Sequence, residues 1–293
     1  MSDPTPRRSP GRAAVIATAA LIVVTLGGGI AAVATHEEKP PGPATPEAAL
    51  RGYYRGLAVG DCEATARSVD PSEIPPEQIC DRFDEILELS GKLLRVVERA
   101  EEGDRATLIF ERTVQGVTDR RISRVRRTGA GWLLAGGSSC YPEERPPDLG
   151  GDHLAPGEGF DEYSSNPPTS GPHAPQPVEA GRIYREAQPV AGLVHSMEHG
   201  AVVFWVGPVE PAFRERVESI VESIGQQGYP SLILTPYAGM SAPLAMTAWG
   251  TLQRCIGVDP IEIGQFVERY YASGLEGRIA CEGAALTIPA CRP

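Results

Sequence analysis

Apolar periodicity divides the chain into one long apolar run and two patterned regions. Residues 13–35 contain no charged side chain, and a helix of this length spans roughly 35 Å, which is enough to cross a membrane. Residues 47–142 show helical stripes followed by strand-like runs, and residues 160–293 alternate buried strands with amphipathic helices. A Pro-rich tether at 36–46 and a Pro/Gly/acidic linker at 143–159 are predicted to separate these regions.

The first patterned region is predicted to open on helices and continue as a sheet. Thr45 and Pro46 are typical of a helix start, and a second helix is predicted over about 76–89. Three strand-like runs follow, with Glu-Gly-Asp and Gly-Ala-Gly turns between parts of them. Two helices before an antiparallel sheet, over about residues 45–140, resemble the NTF2-like superfamily. The resemblance implies an α+β cone, which we interpret as a structural or docking module.

The second patterned region is predicted to be a β-α-β-β-α domain with a mixed sheet, so the fold class of the whole chain is α+β. Its elements are expected at 201–206, 210–225, 231–237, 244–250 and 259–274. The helix between the first two strands is long enough for a right-handed crossover. The strands at 201–206 and 231–235 are therefore expected to be parallel.

The charges beside the apolar run predict its orientation. Arg7, Arg8 and Arg12 precede the run, whereas Glu37 and Glu38 follow it. By the positive-inside rule, residues 1–12 are a cytoplasmic tail, residues 13–35 are a single transmembrane helix, and the rest is extracytoplasmic. The expected location is the cell membrane. The alternative is a cleaved signal peptide, because residues 32–34 read Ala-Val-Ala.

Cysteine usage agrees with an exported chain. All six cysteines follow the apolar run, and an even number in an oxidising compartment indicates disulfide bonds. Cys62 is expected to pair with Cys80, and Cys255 with Cys281 or Cys291, although six cysteines leave the pairing open. There is no C-x-x-C sequence, which argues against a thioredoxin-type redox centre.

Composition narrows the class of partner. The hydrophobic content of 41% and the charged content of 22% are typical of a globular protein. The net charge of −11 disfavours binding to nucleic acid, because acidic surfaces repel phosphate. The predicted partners are the membrane, through the apolar run at 13–35, and an envelope protein.

Arginine far outnumbers lysine in this chain, a bias typical of a GC-rich, actinobacterial-like genome.

Three blocks carry the residues with chemical potential: NPPTSGPH at 166–173, LVHSMEHGAVVFW at 193–205, and TAWG at 247–250. Over about residues 160–275 these blocks resemble a family of bacterial membrane-anchored proteins that is defined only as a domain of unknown function. The resemblance implies no reaction. It implies that His173, His195 and His199 belong to one domain.

The preferred hypothesis is a metal site without enzymatic activity. His195 and His199 are four residues apart, a spacing that puts both on one face of a helical turn or a strand. His173, on a stiff Pro-rich loop, is the natural third nitrogen ligand. Three histidines suit zinc or copper, Met197 would favour copper, and Glu198 is expected as a ligand or as a partner of a histidine.

Three alternatives remain open. His195, Glu198 and His199 also form H-x-x-E-H, the signature of a zincin-like hydrolase, but Gly200 and the strand after it leave little room for the required helix. In the second alternative, the histidines fix loops by hydrogen bonds and the chain is a purely structural envelope protein without a metal. Metal-free catalysis by Ser170 or Ser196 lacks a recognisable nucleophile elbow.

Overall fold

The computed structural model describes residues 42–277 together with Cys281 and Cys291. The predicted cytoplasmic tail at 1–12, the predicted transmembrane helix at 13–35 and the first half of the tether lie outside these described residues. Among the residues from 42 to 277, no helix is both long enough and apolar enough to cross a membrane.

Four helices open the described part of the chain. The first begins where the sequence predicts, since Thr45 Oγ1 accepts a hydrogen bond from Ala48 N and Pro46 occupies the first turn. The prediction of a single helix over 76–89 is wrong in one respect. A break at Arg82 divides this segment into two helices. The helices are α1 (Pro46–Val59), α2 (Cys62–Ala66), α3 (Pro76–Asp81) and α4 (Phe83–Ser90).

A four-stranded antiparallel meander follows these helices. The strands are β1 (Lys92–Glu102), β2 (Arg105–Val114), β3 (Val117–Thr128) and β4 (Gly131–Ser138), in the order β1-β2-β3-β4. The third strand-like run of the sequence supplies both β3 and β4, joined through its Gly-Ala-Gly turn. Helix α1 covers the sheet, with Leu50 and Tyr54 packed in one apolar core with Leu108 and Phe110.

The second half of the chain builds a five-stranded mixed sheet with the order β5-β7-β6-β8-β9. Strands β6 and β7 are parallel, as predicted, whereas β8 and β9 are antiparallel to their neighbours. The predicted β-α-β-β-α order omitted β5, α5 and β9. The elements are β5 (Arg182–Ile183), α5 (Val190–Glu198), β6 (Val202–Val206), α6 (Pro211–Gln226), β7 (Leu232–Pro236), β8 (Leu244–Ala248), β9 (Thr251–Cys255) and α7 (Pro260–Tyr270).

Strand β6 is buried on both faces, which explains its continuous apolar sequence. Phe204 belongs to the apolar core that α6 and α7 cover, together with Phe213 and Phe266. The next residue, Trp205, belongs to a different core on the opposite face, where Leu193 of α5 packs. Helix α5 therefore lies on the face of the sheet opposite α6 and α7.

Covalent and polar contacts join the two sheets. Cys140, just after β4, forms a disulfide with Cys255 at the end of β9. Arg121 of β3 donates to Asp259, and Ser139 N donates to a Glu262 carboxylate oxygen over 2.7 Å. The two sheets therefore meet along the ends of β4 and β9 and the start of α7.

The disulfide pairing corrects one expectation. Cys62 pairs with Cys80, as predicted, but Cys255 pairs with neither Cys281 nor Cys291, because those two bond to each other. The expectation failed because it treated Cys255 as part of a C-terminal tail. Strand β9 instead carries Cys255 back to the first sheet, beside Cys140.

Candidate metal centre

The end of helix α5 presents three polar side chains. Gly200 adopts a left-handed conformation with φ 92°, and the helix closes as a Schellman motif with bonds from Gly200 N to Met197 O and from Ala201 N to Ser196 O. His195 and Glu198 lie in the last turns, and His199 is the C-cap. Residues three and four apart share a helix face, so all three side chains point to the same side.

The NPPTSGPH block forms a loop that the second sheet fixes from several sides. Asn166 donates to Gly239 O and accepts from the Tyr237 hydroxyl, and Thr169 O accepts from Gly250 N. His173, at the end of the block, is fully buried. The three sequence blocks therefore meet in space, and the tightly held loop gives the His173 ring a fixed position.

The segment predicted as a linker at 143–159 delivers a further histidine. Leu154 N donates to His173 O over 2.8 Å, and His173 N donates to Asp152 O over 3.0 Å, which places His153 beside His173. The approach over the site is close, because a Cβ on Gly151 would lie 2.5 Å from a Glu198 carboxylate oxygen. A Cβ at 151 would therefore require the Glu198 carboxylate or the segment over it to shift.

Four side chains converge on one point. The ligand atoms of His153, His173, His195 and Glu198 all lie within 4.8 Å of one another. The three ring centroids form a nearly equilateral triangle with sides of 4.8, 4.9 and 5.0 Å. Imidazoles around a tetrahedral zinc ion, with Zn–N of about 2.0–2.1 Å, place their ring centroids roughly 5 Å apart. The arrangement of this cluster thus matches that of metal-bound histidines.

Backbone carbonyls set the tautomers of two histidines. His173 Nδ1 lies 2.9 Å from Gly171 O, and His195 Nδ1 lies 2.7 Å from Ala174 O. A carbonyl oxygen only accepts hydrogen bonds, so each Nδ1 carries a proton. In the neutral rings, each Nε2 then carries the lone pair, which is the form of imidazole nitrogen that binds a cation. Such hydrogen bonds from the second ring nitrogen are the usual support of metal-binding histidines.

Burial keeps His195 in the neutral form that binds metal. Desolvation lowers the pKa of His195 below its ordinary value of 6.5, and the neighbouring His199, His173 and His153 lower it further. The hydrogen bond with Ala174 O acts in the opposite direction without cancelling these effects. His195 therefore binds a proton less readily than an ordinary histidine does, which favours the neutral form that binds a cation.

The remaining predicted site residues occupy different places. Met197 is fully buried in the apolar core with Leu193 and Trp205, and it is not a member of the four-residue cluster. His199 lies beside the cluster, with its Nε2 3.0 Å from His195 Nε2 and 3.2 Å from a Glu276 carboxylate oxygen. The H-x-x-E-H sequence lies at the end of a nine-residue helix, with its last histidine at the C-cap. A zincin-like site would instead need this sequence within a long helix.

Two residues of this region were missed from the sequence. His153 stands in a Pro/Gly/acidic stretch that looks like a linker, and Glu276 follows the last predicted helix. The signal that could have identified His153 is its rarity, because the chain has five histidines and three of them already fall in the two blocks. No local pattern distinguishes Glu276 from the other acidic residues.

The second half of the chain matches a known family model. Residues 157–283 match the family described as "Protein of unknown function (DUF3105)". The match contains His173, His195, Glu198 and His199, and it begins four residues after His153. No curated protein matches the chain.

Solved structures that resemble the chain cover about a third of it. A SEC-C motif containing protein from Rhodopseudomonas palustris is 23% identical, with 33% of this chain and 80% of that chain covered and a TM-score of 0.28. NTF2-like proteins of unknown function from Shewanella oneidensis MR-1 and Cytophaga hutchinsonii are each 13% identical, with TM-scores of 0.26. Their coverage is 30% of this chain and 90% of that chain for the first, and 32% and 87% for the second. At these values the likeness carries no information about activity.

Proposed function

We propose that the protein is a membrane-anchored, extracytoplasmic binding protein whose His153, His173, His195 and Glu198 hold one zinc or copper ion. In this proposal the metal serves binding or interaction with an envelope partner, and the protein is not an enzyme. The anchor is the apolar run at 13–35, and the three disulfide bonds support an oxidising compartment.

One contact carries the metal proposal. His173 Nε2 and Glu198 Oε2 are 3.1 Å apart, and both are acceptors when His173 Nδ1 holds the ring proton. Two acceptors at this distance repel unless a cation lies between them. The cation is a metal ion in this proposal, and the alternative is a second proton on His173. His153 and His195 supply two more nitrogen ligands around the same point.

The donor set limits the choice of metal. Three imidazoles and one carboxylate suit zinc and copper(II), whereas calcium and magnesium prefer sites made of oxygen ligands alone. Met197 lies in the apolar core and is not in the cluster, so thioether ligation by this residue does not contribute to a preference for copper. Zinc, which accepts four-coordinate nitrogen and oxygen sites, therefore comes first and copper(II) second.

Metal content is the direct test. The full-length protein, purified in detergent, is to be analysed for zinc and copper by inductively coupled plasma mass spectrometry. The comparison includes Glu198→Gln and His195→Gln, which preserve side-chain size, and the control Glu222→Gln on an exposed position of α6. We expect about one ion per chain in the native protein and the control, and a clear deficit in both site variants.

Equal metal content in all four proteins would reject the site. The hydrolase alternative predicts a different pattern, because the glutamate of H-x-x-E-H then acts as a base and not as a ligand. Under that alternative, Glu198→Gln would keep its metal but lose a peptide-hydrolysing activity measured on the metal-loaded native protein. The geometry gives this alternative no support, since Glu198 contacts His173 Nε2 inside the ligand cluster.

A further inference from the structure

Two further ligand-type side chains, His199 and Glu276, lie beside His195 and outside the proposed ligand set. His199 Nε2 lies 3.0 Å from His195 Nε2 and 3.2 Å from a Glu276 carboxylate oxygen. The side chain of His199 is 24% exposed and that of Glu276 is 59% exposed, whereas His173 is completely buried. Side-chain exposure therefore falls along the path from Glu276 through His199 to His173, while the inner ligand His153 on the other side is itself 52% exposed.

The backbone holds Glu276 in this position. Glu276 N donates to Glu198 O over 2.8 Å, and Ala272 N donates to Gly200 O over 2.9 Å. These bonds tie the segment after α7 to the end of α5. The approach is close, because a Cβ on Gly274 would lie 2.1 Å from Glu198 O. The contact between His199 and Glu276 thus follows from main-chain packing and does not depend on side-chain attraction alone.

The contacts around His199 contain more hydrogen-bond acceptors than donors. His195 Nδ1 donates to Ala174 O, so its Nε2 is an acceptor toward His199. The Glu276 carboxylate is also an acceptor. His199 Nε2 can carry at most one hydrogen, yet it lies 3.0 Å from His195 Nε2 and 3.2 Å from the Glu276 carboxylate. A divalent cation at His199 and Glu276 would satisfy the carboxylate and both rings.

We propose that His199 and Glu276 form an outer capture position for the metal ion, which then passes through His195 to the inner cluster. The inference rests on the proposed metal function. His195 is the shared residue, because its Nε2 faces His199 and the residue itself belongs to the inner ligand set. The outer position takes the same divalent ion, zinc or copper(II), from solvent. It offers fewer protein ligands, so it binds more weakly than the inner site.

The test is the rate of metal loading, measured separately from affinity. The metal-free full-length protein in detergent is mixed with copper(II) in a stopped-flow instrument, and tryptophan quenching is followed. Trp249 reports on the inner site, because its ring centroid lies 6.2 Å from that of His173. Trp249→Phe gives the background from the other two tryptophans. The variants are His199→Ala and Glu276→Gln, with Glu222→Gln as the carboxylate control.

We expect loading to slow by about tenfold in both variants, the lower end of the effect of removing groups around a metal site, while equilibrium affinity stays near the native value. Loading at the native rate in both variants would overturn the capture position. A loss of equilibrium affinity equal to that of His195→Gln would also overturn it, because His199 would then be an inner ligand. Glu276→Gln does not change the main-chain bond from residue 276 to Glu198 O. This variant therefore tests the capture position even if His199→Ala has a folding defect.

A second variant separates this inference from the proposed function. His173→Ala combined with Glu198→Gln removes the inner site and leaves the outer pair. We expect weak copper(II) binding, measured by equilibrium dialysis, which the further change His199→Ala abolishes. Absence of that weak binding rejects the capture position while the inner site stands. Absence of metal binding by the native protein rejects the proposed function itself.

Discussion

His173 and Glu198 are 25 residues apart in the sequence, and their Nε2 and Oε2 atoms lie 3.1 Å apart in the fold. The first residue belongs to a Pro-rich loop and the second to the last turn of α5. Both are buried, so the contact is shielded from competing water. A cation between them is therefore held in a medium where electrostatic attraction is stronger than at the surface.

Burial predicts an order of importance among the histidines. His173→Ala is expected to lower zinc affinity more than about 100-fold, because it removes a buried ligand whose second nitrogen is already fixed by Gly171 O. His153→Ala is expected to have a smaller effect, since the His153 side chain is 52% exposed and water can replace it. Competitive titration of the full-length protein with a zinc indicator measures both affinities. Equal losses would contradict the predicted order.

The close approach at Gly151 predicts a steric effect. Gly151→Ala is expected to lower zinc affinity about tenfold, because its Cβ would lie 2.5 Å from a Glu198 oxygen and displace that carboxylate. Gly159→Ala is the matched control, since a Cβ there has open space. Zinc titration gives the affinities, and circular dichroism checks that both variants keep the fold. Native affinity in Gly151→Ala would show that the segment yields without disturbing Glu198.

The lowered pKa of His195 predicts an acid-sensitive stability of the metal-free protein. A depressed pKa in the folded state means that the unfolded chain binds the proton more readily. The contribution of His195 is therefore complete above pH 6.5 and is lost as the pH falls through the lower pKa of the folded state. Melting temperatures measured between pH 4 and pH 8 test this. In His195→Gln, we expect the decline over this range to be smaller than in the native protein.

The disulfide between the two sheets predicts a large loss of stability on removal. Cys140 and Cys255 are separated by 115 residues, and the chain-entropy model gives a contribution of about 5 kcal/mol for a loop of that length. Cys62 and Cys80 are separated by 18 residues, for which the same model gives about 3 kcal/mol. Replacing each pair by alanine and measuring urea unfolding compares the two. A larger effect at the shorter loop would indicate that native-state packing outweighs loop entropy.

Local patterns predicted much of the fold because they report on interactions between neighbouring residues. Thr45 and Pro46 start α1, and the valine-rich run at 202–206 is a buried strand. The parallel pairing of β6 and β7 followed from the handedness of a helical crossover. The short elements β5 and α5 were missed, because a two-residue strand and a nine-residue helix carry little periodicity.

The sequence alone determined that ligand-type residues are concentrated in the NPPTSGPH and HSMEH blocks, and that His195 and His199 share one face. Only the tertiary structure brought His153 and Glu276 to the same place, directed Met197 into the apolar core, and paired Cys140 with Cys255. The physical reason is the range of the interactions. Spacing along a helix determines which side chains are neighbours within a turn. The contacts of distant segments, such as those that carry His153 and Glu276, depend instead on how the chain packs on both faces of the second sheet.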